Sequence, residues 1–228
     1  MLESQPPLIE PQPQPQPLAP ARLAMQFEDL EKQTHAAHFG MWIFLASEVL
    51  LFGGLFGLYA GYRAMYGAEF AAGIAHNSAP IGTANTAILL TSSLLVALSV
   101  YAVRLDRPAR AGRLLLGAIA LGAAFLTLKG IEYAAHFREG IFPGAAYRFE
   151  ELPQAGARLF FTLYYVSTGL HAVHVTAGLV VLGWLAWGCF RRRYGAGNET
   201  HVELGGLYWH LVDVIWIFLW PMLYLMHR

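Results

Sequence analysis

The 228-residue chain is 56% hydrophobic and only 13% charged, and its mean hydropathy is +0.43; soluble domains carry about 25% charged residues, so the solvent expected here is a bilayer. Formal net charge is zero, which leaves no global field to recruit nucleic acid. A single cysteine, Cys189, excludes an intrachain disulfide and a thiolate-rich metal cluster, and its apolar setting reads as packing.

Residues 1–25 read as a disordered Pro/Gln-rich tail, because seven of the twelve prolines fall in the first 20 positions and such a composition favours solvated polyproline II. The opening residues show no basic segment followed by an apolar one, so a cleavable signal peptide is not expected. Residues 26–228 read as one membrane domain. Five apolar runs, at 39–62, 80–103, 114–137, 159–190 and 204–226, approach or exceed the roughly 20 residues that cross about 30 Å of hydrocarbon. Period-2 alternation is absent, so the expected fold is an all-α bundle of five transmembrane helices.

Charge sets the expected orientation. Arg104, Arg107, Arg110 and Arg113 crowd one short connection and Arg191, Arg192 and Arg193 follow the fourth run. Retaining both basic segments inside puts the N-terminus in the cytoplasm and the C-terminus outside. Trp42, Trp184, Trp187 and Trp209 then fall near the inner interface. Gly53, Gly57 and Gly61 recur every fourth residue of the first run, a spacing that lets another helix backbone approach closely.

Ionisable groups at membrane depth are costly, which makes each a functional candidate. Glu48 lies about 13 Å into the first run and roughly 140–220° around the helix from the glycine face, so it addresses a different neighbour, and another subunit fits that description. Two readings stand: a neutral, hydrogen-bonded acid that orients the helix, or a proton-relay group. His171 and His174 are three apart on one face of the fourth run. Interhelical hydrogen bonding is the preferred reading, with a metal or haem site as the alternative. His210 and Asp213 are spaced to pair in the fifth run, and Trp209, Asp213, Trp216, Trp220 and Tyr224 form a packing stripe. Lys129, Glu132 and His136 share a face and read as an interfacial ion-pair cluster.

Five segments taken together resemble one family: Gly40-Met-Trp-Ile-Phe-Leu-Ala-Ser-Glu48, Asn85-Thr-Ala-Ile-Leu-Leu-Thr-Ser-Ser93, Lys129-Gly-Ile-Glu132-Tyr133, Thr168-Gly-Leu-His171-Ala-Val-His174 and Tyr208-Trp-His210-Leu-Val-Asp213. They look like subunit III of the haem-copper terminal oxidases, and the likeness runs from about Phe39 to the C-terminus. The resemblance implies an accessory subunit with no catalytic residue, metal or cofactor of its own. It would sit in the bacterial inner membrane with a periplasmic C-terminus. Haem and copper would reside in partner subunits. Subunit I would be its main contact, with subunit II beside it, a quinol:cytochrome c oxidoreductase as a supercomplex partner, and phospholipid bound at its surface. The function implied is support of oxygen reduction coupled to proton pumping, with Glu48, Glu132, His171, His174, His210 and Asp213 as the positions that carry the family pattern. Seven-helix members have two further helices at the N-terminal side, and this chain matches the last five. The wording around Glu48 and Glu132 favours a cytochrome c oxidase; a ubiquinol oxidase or a homologue linked to nitric oxide reductase is the alternative, and an independent membrane haem protein is a more distant one.

Overall fold

A computed structural model describes residues 24–226; the tail expectation falls outside that range except for Ala24 and Met25. Every regular element among the described residues is helical. The elements are α1 (Leu30–Met65), α2 (Gly67–His76), α3 (Ala79–Arg104), α4 (Pro108–Arg138), α5 (Ala155–Phe190) and α6 (Thr200–Tyr224), with a single 3-10 turn at Gly144–Ala146. Five of them, all except α2, are long and apolar enough to cross a membrane.

The helix ends follow local chemistry. Asp29 caps α1 by accepting from the Lys32 backbone amide at 2.7 Å, which places the helix start nine residues ahead of the apolar run. Between α3 and α4 the chain turns in three residues, with Asp106 at φ 56° and Pro108 opening α4. Proline at the first helical position lacks only an amide that would have no partner there. The arginine connection expected over 104–113 is therefore short, and Arg110 and Arg113 stand on the first turns of α4. The ten residues of α2 are too few to register as a membrane run; Phe70, Gly73 and Ile74 bury its inner face, with Phe70 edge-on to Phe160 at 5.5 Å.

Helices α3, α4, α5 and α6 form a ring in which α3 and α5 each pack against both α4 and α6, while α4 and α6 face each other across the middle without close backbone approach. Large side chains fill that middle. Trp209, Trp216, Phe125, Tyr164 and Tyr224 are almost fully buried, and Phe125 meets Trp216 edge-to-face at 4.8 Å, a geometry worth about 0.5–1.5 kcal/mol beyond area alone. Trp209, expected at the interface, fits inside because two glycines leave room: a methyl at Gly178 would lie 2.7 Å from its ring and one at Gly122 2.9 Å.

Helix α1 leans on the seam between α5 and α6 and does not pack against α3. Only Leu45, Phe52 and Tyr59 of its 36 residues are buried. The expected close-packing face is not used among the described residues: a Cβ at Gly53, Gly57 or Gly61 would meet nothing within 4 Å. At its end α1 is pinned to α6, since Tyr59 donates to the Met222 carbonyl at 2.5 Å and Arg63 donates to the Met226 carbonyl.

Candidate functional site

Glu48 finds a neighbour on α5 of the same chain. Its Oε2 lies 2.8 Å from His174 Nε2, and both side chains are largely buried. The other ring nitrogen, Nδ1, is 2.9 Å from the Leu170 carbonyl oxygen. A carbonyl only accepts, so Nδ1 carries a hydrogen. The short contact between Nε2 and Oε2 then holds one proton, carried by either atom: a neutral acid donates to a neutral imidazole, or an imidazolium donates to a carboxylate. Both arrangements have zero net charge, which lowers the cost of placing the pair between apolar helices. Phe52 covers the imidazole edge-on at 5.4 Å, and Tyr208 donates to the His174 carbonyl at 3.0 Å, tying α6 to the same turn.

A second polar group lies deeper in the ring. Lys129 and Glu132, expected as an interfacial pair, are each only 4% exposed. The Lys129 ammonium donates to Glu132 Oε2 at 3.0 Å and to the Tyr164 and Tyr224 hydroxyls at 2.8 Å each, which uses all three of its donors. Tyr224 donates in turn to the Glu132 carboxylate at 2.7 Å. The rings of Tyr133, Tyr164, Trp216 and Tyr224 surround the ammonium at 4.6–5.5 Å, adding cation–π attraction. The Lys-x-x-Glu spacing signals the pair; Tyr164 and Tyr224 come from other helices, and nothing in the sequence ties them to Lys129. His136 lies one turn beyond, between Phe161 and Tyr164.

The remaining candidates separate. His171 does not share a partner with His174: its ring stacks on Trp216 at 5.2 Å and meets Phe125 edge-on at 5.5 Å, and neither nitrogen has a hydrogen-bond partner among the described residues. His210 and Asp213 do not pair either. His210 Nδ1 is 2.5 Å from Ser93 Oγ on α3, while both Asp213 oxygens lack a hydrogen bond of ordinary geometry although the Ser93 hydroxyl faces them. The i,i+3 rule places two side chains on one face but cannot know that a serine from another helix competes for the imidazole. Among the described residues no three His, Cys, Asp or Glu side chains come together as a metal-binding group. At the arginine end, Arg104 pairs with Glu203 at 2.6 Å, and the Arg191 and Arg193 guanidinium groups lie 4.8 and 4.7 Å from the Trp187 ring centre.

The family model for cytochrome c oxidase subunit III matches residues 26–227, nearly the whole chain. The chain belongs to the cytochrome c oxidase subunit III family. Among its relatives, a cytochrome c oxidase subunit 3 of Thermostichus vulcanus is 32% identical over 190 residues, covering 83% of this chain and 87% of that one. A cytochrome bo(3) ubiquinol oxidase subunit 3 of Pseudomonas aeruginosa is 28% identical, covering 82% and 84%. A haem-copper oxidase subunit I+III of Aeropyrum pernix is 30% identical over 195 residues, which are 81% of this chain but 22% of that longer protein. The five membrane-crossing helices and the family agree: this is a multi-pass subunit III of a haem-copper oxidase.

Proposed function

We propose that this subunit III packs chiefly against subunit I of its oxidase, beside subunit II, and supports proton uptake by the complex without holding a redox centre. The relative named subunit I+III, in which the two are one polypeptide, supports the first contact. The histidines support a cofactor-free reading through what they already do: His174 is engaged at both nitrogens, His210 is held by Ser93, and His171 is clamped between aromatic rings. The complex is assigned to the bacterial inner membrane, with cytochrome c as donor, the arginine end in the cytoplasm and the C-terminus in the periplasm; the distribution of arginines supports that orientation. A supercomplex with a quinol:cytochrome c oxidoreductase and phospholipid at the exposed apolar faces complete the proposed surroundings.

The proton-support role rests on one observation, the 2.8 Å contact between Glu48 Oε2 and His174 Nε2. Glu48→Gln preserves a donor to Nε2 but removes the exchangeable acid. The variant is expected to assemble normally, with oxygen consumption by the purified oxidase falling at high pH or failing sooner under continuous turnover. Wild-type rates and lifetime at every pH would reduce Glu48 to a fastener between α1 and α5.

A further inference from the structure

Because α1 does not reach α3, an open groove of about 310 Å³ runs over α6 at the arginine end of the bundle. His38, Arg104 and Glu203 line it together with His210 and the apolar Ala97, Val100 and Leu207. His210 lies seven residues along α6 from Glu203, about 10 Å farther in at 1.5 Å per residue. From there hydrogen-bonding groups continue inward: His210 Nδ1 to Ser93 Oγ at 2.5 Å, and the Ser93 hydroxyl facing the Asp213 carboxyl, which is 3% exposed. Neither Asp213 oxygen has a hydrogen bond of ordinary geometry, and Asp213 takes part in no ion pair among the described residues.

We propose that Asp213 is a proton-binding site loaded from this groove through His210 and Ser93, and that it is a closed end rather than a channel. The transfer balances at every atom. A proton bound at His210 Nε2 from the groove lets the Nδ1 hydrogen pass to Ser93 Oγ, and the Ser93 hydrogen passes to an Asp213 oxygen, so each O–H or N–H bond made matches one broken. One turn further along α6 Trp216 packs against Phe125 and the His171 ring, and among the described residues no hydrogen bond of ordinary geometry leads on from either Asp213 oxygen. The titratable group nearest along α6 is His210; from α3 the facing group is Ser93, and no charged side chain of α1, α4 or α5 pairs with the carboxyl. The site differs from the Glu48 pair, which is already satisfied by His174.

The test is infrared spectroscopy of the assembled oxidase, recorded in light and heavy water, with Asp213→Asn identifying the Asp213 carboxyl signal by its loss. The expected result is that this signal shifts on transfer to heavy water within minutes in the wild type and at least tenfold more slowly in Ser93→Ala and in His210→Phe. Equal exchange rates in wild type and both variants would overturn the route. A signal that never exchanges in the wild type, or the absence of any Asp213-dependent signal, would overturn the site. Turnover is not the readout, so failure here leaves the Glu48 reading standing, and the reverse.

Discussion

Helix α1 and the α3–α6 ring solve the problem of standing in a membrane in opposite ways. The ring is held by interior bulk: aromatic side chains occupy its centre, glycines admit them, and a caged lysine joins three helices. Helix α1 is attached by a few directed bonds, Glu48 to His174 near its middle and Tyr59 and Arg63 at its end, with most of its surface turned outward. In lipid, where apolar burial alone drives little association, packing and polar bonds carry helix–helix contact. One chain thus joins its ring mainly by interior packing and fastens its first long helix to that ring by hydrogen bonds.

Three substitutions probe this difference. Lys129→Met should do the most damage, leaving the Glu132 carboxylate buried without its cation at a cost of about 3–5 kcal/mol. Thermal unfolding of the purified complex should show early loss of subunit III, and Lys129→Met combined with Glu132→Leu should recover much of the stability. An unchanged unfolding temperature for the single variant would mean that the cage is not what holds the ring. Gly178→Ala follows, since its methyl would collide with the Trp209 ring; overpacking of that kind typically costs about 1–3 kcal/mol. Gly57→Ala should be the mildest. Its methyl enters open space, and the gain in helix propensity is at most about 1 kcal/mol. Unfolding of the isolated subunit in detergent should rank the two glycines in that order. If Gly57→Ala destabilises the assembled oxidase but not the isolated subunit, a helix from outside the chain occupies that face.

Most of the architecture was legible because hydropathy over 20 residues is a long, averaged signal; each of the five long helices overlaps one apolar run, although α1 begins nine residues ahead of its run. What escaped was short or depended on partners. Helix α2 has too few residues to register, and Trp209 reads as interfacial until Gly122 and Gly178, on two other helices, are seen to make room for it. The same limit governs the polar residues. Glu48 is conspicuous as a lone acid, but its distance to His174, 126 positions away, is set by how α1 leans on α5. His210 and Asp213 look like a pair on paper because spacing along one helix is visible and Ser93 on another is not.

Trp187 is flanked by the guanidinium groups of Arg191 and Arg193, and a cluster of that kind at the headgroup level would set the height of α5. Helix α5 has 36 residues, about 54 Å at 1.5 Å per residue, against a hydrocarbon thickness of about 30 Å. Counting about 20 residues back from that anchor ends near Ser167, so everything from Tyr164 to Ala155 overhangs the far side. Tyr164 holds Lys129, so that count would bring the caged ammonium level with the opposite lipid headgroups. Its charge is shielded sideways by aromatic rings and on that count would lie at the edge of the apolar slab, where thickening the bilayer would be felt first.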